Sequence, residues 1–564
     1  MPHLAEAEVG WQMKKWFVVL ILGAAQFVMV LDSTVMNVSI SAVVADLDSS
    51  VTAMQSAITF YTLTMAATML LGAKLGDIWG RRRALVIGSI VYAIGSLMTA
   101  FSPNMVVLFL GWSIIEGLGA VLVIPAIAAL LADNYEGRDR VTAFAAIGAV
   151  SGAGVAAGPL IGGFMTTYFS WRYVFVGEVV ILVFVVLFAR RIAEKSQRQN
   201  IRIDVLSVLL SALGLVGVVF GMLQSKVWGW IVPLHSPEIN GVEIAPLGIS
   251  LTAWFIVLGI VLLVLFFARQ RSLVARGRDP LLHADLLSIR QLRSGLSVLG
   301  GQYAIIAGLF FMVPVYLQMT LGFDALQTGW RIFPLSISLI LFSIFGTRLS
   351  TRWSPRRVVR VGQWILVASA ILLLTAIDPE LSSPAFGIGM FCAGAGLGLL
   401  ASQLGNVNMS SVTAKDTSEV GGLQGVFQNL GSSLGTALIG SILIGALASS
   451  FASGVAKSTL PAETQAIINE RTEGGVGIIP ASTVQKIATD SGLTADEAAT
   501  LEAIYIDSQL SSLRIAFFGL ILLALVSLLV SRGIPNEVPL PRAKPARAAG
   551  PKPSGPGGAH GHVG

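Results

Sequence analysis

Along most of the chain, apolar blocks of about twenty residues alternate with short polar breaks. FVVLILGAAQFVMVL from Phe17 and WFIVLGIVLLVLFFA from Trp254 are two examples. As a helix, such a block crosses a hydrocarbon core of roughly 30 Å. The pattern predicts fourteen membrane-spanning helices, at residues 16–41, 54–73, 84–103, 106–131, 140–166, 172–191, 203–225, 248–268, 294–320, 329–349, 358–377, 384–408, 420–448 and 512–531. An even number places both termini on one side. The expected fold class is therefore an all-α polytopic membrane protein.

Composition agrees: of 564 residues, 54% are apolar and 12% charged, against about 25% charged in soluble domains. Lys14 and Lys15 precede the first block as they would in a leader peptide. That block runs on without a small-residue cleavage site, so it reads as a retained helix. The formal charge of +6 changes the picture only through its distribution. Of the 37 basic residues, 30 fall in breaks on the side of the N-terminus and 7 on the other. By the positive-inside rule both termini are cytoplasmic. The charge is topological, and no nucleic-acid partner is expected.

Two segments lie outside this rhythm. Residues 449–511 form an extracytoplasmic loop with eight acids and three bases, in which Thr494 to Glu497 carries a capping-box signature. It reads either as a cap over the external mouth or as a tolerated insertion. Residues 533–564, rich in Pro, Gly and Ala, read as a disordered cytoplasmic tail. Cys392 is the sole cysteine, which rules out an intramolecular disulfide. The five histidines all lie outside the spans. No metal site, Walker pattern or nucleophile–base pair is apparent, so neither an enzyme nor an ATP-driven pump is expected.

Weak internal repeats divide the spans. GAKLGDIWGRRR at 72–83 and FGTRLSTRWSPRR at 345–357 occupy equivalent places, as do GPLIGG at 158–163 and GSSLGTALIG at 431–440. The division is a cytoplasmic N-terminus (1–15), a six-helix bundle (16–191), two additional helices with cytoplasmic linkers (192–293), and a second six-helix bundle (294–532). The additional helices are expected at the periphery.

On these residues the chain resembles the major facilitator superfamily, and within it the fourteen-span drug:proton antiporters, over about residues 12–532. Gly76-Asp77-Ile78-Trp79-Gly80-Arg81-Arg82-Arg83 looks like the cytoplasmic signature between helices two and three. The resemblance makes Asp77, Gly80, Arg81 and Arg82 an ionic latch that a rigid-body motion breaks. Gly154, Gly158, Pro159, Gly162 and Gly163 resemble the antiporter signature of the fifth helix, where small residues permit close helix approach and proline bends the backbone. Leu31-Asp32-Ser33-Thr34 with Asn37 resembles a motif of the fourteen-span branch. In the fourth helix the family's arginine and glutamine positions hold Ser113 and Glu116, ahead of Gly117. The arginine's usual role therefore does not carry over.

Three acids lie within predicted spans of the first bundle: Asp32, Glu116 in GWSIIEGLGAVLVIPA, and Glu178. Intramembrane acids usually face a cavity or a partner. A carboxyl whose surroundings alternate between dry and wet can bind and release a proton, which makes these three the candidates for proton coupling. Glu116 is expected to face a water-accessible cavity, and Arg172 is a possible partner for Glu178. No lysine or arginine is assigned to the membrane interior, so the cavity is expected to be acidic and to favour cationic substrates. Tyr61, Trp112 and Phe175 are available for stacking or cation–π contact. Asn37, Ser113, Gln403, Asn406, Gln428 and Asn429 are further candidates to line the cavity, the last four equally readable as polar glue between helices.

The expectation is a monomeric carrier in the cytoplasmic membrane, without cofactor. It exports small cationic or amphipathic molecules against protons by alternating access. An importer or exporter of a specific metabolite on the same fold, and a non-transporting sensor or scaffold, are the alternatives.

Overall fold

In the computed structural model, the described residues are 2–195, 202–234, 237–239, 242–350, 352–378, 381, 383–412, 417–472 and 476–537. Most of the predicted tail lies outside them. Among the described residues, fourteen helices are long and apolar enough to cross a membrane. They are α1 (Trp16–Val38), α2 (Val51–Trp79), α3 (Arg81–Ala100), α4 (Met105–Asn134), α5 (Thr142–Tyr168), α6 (Arg172–Arg191), α7 (Val205–Trp228), α8 (Leu251–Ala275), α9 (Arg290–Thr320), α10 (Ala325–Leu349), α11 (Pro355–Thr375), α12 (Ala385–Met409), α13 (Glu419–Ala456) and α14 (Ala495–Gly533). The only strands among the described residues are Glu238–Ile239 and Val242–Glu243, paired in the α7–α8 loop.

Several boundaries differ from the sequence reading. The first helix begins at Pro2, so residues 2–15 are helical and continuous with α1. α13 extends to Ala456. The Thr494 capping box starts one unbroken helix, Ala495–Val530, that continues into the last span. Two short helices, Ala462–Thr472 and Ala481–Asp490, fill the connection. The loop predicted at 449–511 is thus a helical cap standing on α13 and α14.

The repeats reappear as equivalent packing. Gly154, Gly158 and Gly162 lie against Val30, Thr34 and Val35 of α1. On the opposite side of α5, a Cβ at Gly163 would come within 2.6 Å of the Ala325 carbonyl at the start of α10. Gly431 and Gly435 of α13 likewise abut Gly300 and Ala304 of α9, while Gly440 abuts Gln55 of α2. In each half, the fifth helix packs on the first helix of its own half and the second helix of the other.

The two inserted helices do not both lie at the periphery. α7 and α8 pair along glycines 214, 217 and 259. α7 then packs against α2 and α13, with Leu215, Val219 and Leu223 buried against Leu63 and Ala437. It sits on the seam between the halves, while much of α8 remains exposed.

Candidate functional site

Asp32, Glu116 and Glu178 come from α1, α4 and α6, and the structure brings them together. Each offers a carboxylate oxygen, and these three atoms all lie within 4.8 Å of one another. All three side chains are at most 1% exposed. Trp112 Nε1 donates to both Asp32 oxygens, at 2.9 and 3.1 Å. Thr99 donates to Glu116 Oε1 and Ser96 to Glu178 Oε2, each at 3.2 Å. The remaining oxygens, Glu116 Oε2 and Glu178 Oε1, are buried without a protein partner. None of the ion pairs among the described residues reaches the three acids.

Local backbone explains how an acid comes to point here. After a first α-helical turn, α4 runs through a π-helical stretch, Phe109–Glu116, ending on the acid itself; such wide turns concentrate at functional sites. α3 approaches so closely that a Cβ at Gly95 would stand 2.5 Å from Glu116 Cγ and 2.7 Å from its amide nitrogen. Ser113 Oγ donates to the Ala57 carbonyl of α2 at 2.8 Å and pins the turn from the other side. Beside Asp32, the Trp112 and Tyr61 rings stack with centroids 5.0 Å apart at 9°. Tyr61 and Tyr92 hydroxyls lie 3.5 Å apart.

Two ionised carboxylates 4.8 Å apart repel by about 3.5 kcal/mol at an effective dielectric constant of 20, and burial without a counter-cation adds a desolvation cost. The trio therefore suits shared protons or a bound cation, to which it would present hard oxygen donors.

Several expectations change here. Glu116 does not face an open cavity; at 0% exposure it is sealed in this conformation. Arg172 does not pair with Glu178. It bonds Asp46 at 2.8 Å and the Ala100 and Ser102 carbonyls, closing the loops above the acids. Lys226, in the last turn of α7, donates to Gln55 Oε1 near the start of α2 at 2.7 Å. Gln55 in turn donates to the Thr436 and Ala437 carbonyls of α13.

The remaining candidates disperse. Asn37 donates to the Ser33 carbonyl of its own helix, and Phe175 is buried edge-on to Trp171. Gln403 donates to the Gly346 carbonyl across the α10–α12 contact. Asn429 donates to the Gly425 carbonyl one turn back. Asn406 is exposed and Gln428 half-buried. What sequence reasoning missed is α3: Tyr92, Ser96 and Thr99 all face the acids. Their 92–96–99 spacing along one helical face was the available signal.

In the latch segment, Arg81 pairs with Asp77 and also donates to the Ala73 carbonyl at 3.2 Å. Gly80 takes φ +98° to turn α2 into α3, a conformation that suits glycine. The Arg82 amide donates to Glu194 Oε1 just beyond α6. These bonds stay within the first half. In the second half, after the α10–α11 turn, Arg356 ties the equivalent corner to the last helix of its half, donating to the Arg532 and Ile534 carbonyls at the end of α14.

Two pseudo-equivalent six-helix halves, the first of which buries the three acids, define a membrane transporter fold. Residues 22–436 match the Major Facilitator Superfamily, and the chain belongs to that family. The puromycin resistance protein pur8 of Streptomyces alboniger is 30% identical over 474 residues, 82% of this chain and 88% of that one. The tetracenomycin C resistance and export protein of Streptomyces glaucescens is 25% identical, covering 95% and 96% of the two chains. Among solved structures, a bacterial homologue of the human lysosomal transporter Spinster, inward-facing and unoccupied, matches with a TM-score of 0.58. It is 16% identical over 92% of this chain and 98% of that one. The chain is thus a multi-span membrane transporter of small molecules.

Proposed function

We propose that this chain is a proton-driven exporter of small cationic or amphipathic molecules, acting by alternating access in the cytoplasmic membrane with both termini in the cytoplasm. The observation that carries the reading is the convergence of Asp32, Glu116 and Glu178, buried together without a basic partner. A site that releases its protons on opening can exchange them for a cation, with the Trp112–Tyr61 stack as an aromatic platform. The resistance and export proteins among the relatives support the direction of transport and the substrate class. The latch at Asp77 and Arg81 and the glycines of α5 serve the rocking of the two halves.

The test is dye transport in everted vesicles under an imposed proton gradient, using ethidium. Wild type is expected to move protons when dye is added, and Glu116→Gln and Asp32→Asn to lose at least about tenfold in rate while still folding. Full coupling in folded Glu116→Gln would reduce that acid to a structural one. Transport that follows a sodium gradient and ignores a proton gradient would overturn the proton reading. Uncoupler-induced loss of dye from cells would point to import.

A further inference from the structure

The cap built from the outer parts of α13 and α14 and the two short helices holds a cavity lined by none of the residues around the acids. Its volume is about 210 Å³. Phe451, Ile468, Val484, Ala488, Leu493 and Leu501 form much of the wall, and among the described residues no side chain carrying a formal charge lines it. Ile467 and Ile487, also in the wall, are 40% and 50% exposed, so apolar surface continues to the outside.

The polar groups at Tyr505 and Thr472 are already committed. Tyr505 Oη donates to the Gly477 carbonyl at 2.8 Å and accepts from the Ile479 amide at 2.9 Å. Thr472 Oγ1 donates to the Ile468 carbonyl at 2.8 Å. A ligand therefore gains little from hydrogen bonding here and gains by burying hydrocarbon. The same bonds, with Gln509 Nε2 on the Ile479 carbonyl at 3.1 Å, fasten the wall to α14, so the cavity is held open by the framework. An apolar cavity of about 150 Å³ stays dry and takes up benzene. A cavity of 210 Å³ admits one ring with substituents, or two fused rings.

We infer that the extracytoplasmic cap is a binding site for a neutral, apolar small molecule of one to two rings, separate from the buried acids. Its chemistry is opposite to theirs: the cap takes uncharged hydrocarbon where the acids take protons or a cation. The inference does not depend on proton coupling.

The experiment is photolabelling of the full chain in nanodiscs with 3-trifluoromethyl-3-phenyldiazirine, a neutral one-ring probe, mapped by peptide mass spectrometry. Labelling of residues 451–505 is expected to saturate. It should fall about tenfold when n-propylbenzene exceeds its Kd tenfold, while labelling of lipid-facing spans stays unchanged. Ala488→Phe, and Leu501→Phe from the other wall, are expected to remove the saturable label and leave ethidium transport intact. Labelling of the cap that rises linearly with probe and resists competition would overturn the inference. So would a saturable label that persists in both folded filling variants. If neither variant folds, the wild-type competition result decides alone.

Discussion

At Gly95 the tolerance of the acid site is set by hydrogen atoms. With Glu116 Cγ 2.5 Å from where a Cβ would sit, Gly95→Ala forces α3 and α4 apart. Overpacking of this kind costs about 1–3 kcal/mol. The expected outcome is a lowered unfolding temperature in detergent and loss of dye-driven proton movement, although no ionisable group has changed. Unaltered transport would show that the spacing of α3 and α4 does not govern the acids. Trp112→Phe tests the site more gently, keeping a ring against Tyr61 and removing the donor to Asp32. A hydrogen bond to a charged group is worth about 1.5–3 kcal/mol, so transport should slow by roughly ten- to a hundredfold with expression unchanged. The three acids were legible in the sequence because a charged letter in an apolar run needs a reason. Their company was not. Tyr92, Ser96 and Thr99 are ordinary letters whose meaning depends on which face of α3 turns inward, and that depends on packing between helices far apart in sequence.

At the scale of elements, α7 is tied at both ends. Asp204 accepts from the Ser207 amide as the N-cap of α7 and is held by Arg269 Nε and Nη2, at 2.6 and 2.7 Å. The Arg269 guanidinium, bonded directly to it, keeps the Asp204 carboxyl well below the usual carboxylate range. Stability from Asp204 is thus complete above that range and lost as pH falls through it and below. Asp204→Asn should lower the unfolding temperature at pH 7. The cost is about 1 kcal/mol from weakened capping and pairing, and the gap from wild type should narrow below about pH 4. At the other end, Lys226→Met leaves Gln55 without its donor. The tie from α7 to the α2–α13 contact is then lost, and slower transport with unchanged folding is the expected readout. Placing Lys226 in a loop followed from ending the span at 225; the helix runs to Trp228, so the lysine belongs to its last turn and reaches Gln55 from there.

For the whole molecule, the count and order of spans could be read from hydropathy, because each block answers locally to the bilayer. The seam could not, since it is made by pairs such as Gly163 with Ala325 and Gly440 with Gln55, which no local pattern joins. At the ends of the helices opposite the termini, the halves are joined by hydrogen bonds. Ser41 pairs with Gln318 and Thr167 with the Leu326 amide, the latter at 3.1 Å. Alternating access requires these ends to part. With Cys392 replaced by alanine, Thr167→Cys and Leu326→Cys together should form an oxidant-dependent cross-link that stops transport and is relieved by reductant. Full transport in the cross-linked protein would mean that the halves do not separate there.

The unbroken helix from Ala495 to Val530 has a mechanical consequence. Its 36 residues make a rod roughly 54 Å long, with the cap fastened at its outer end. If α14 pivots by ten degrees near its inner end, the cap swings by about 9 Å. The lever turns small helix tilts within the bilayer into displacements large enough to follow with a pair of fluorophores, one on the cap and one on the α3–α4 loop.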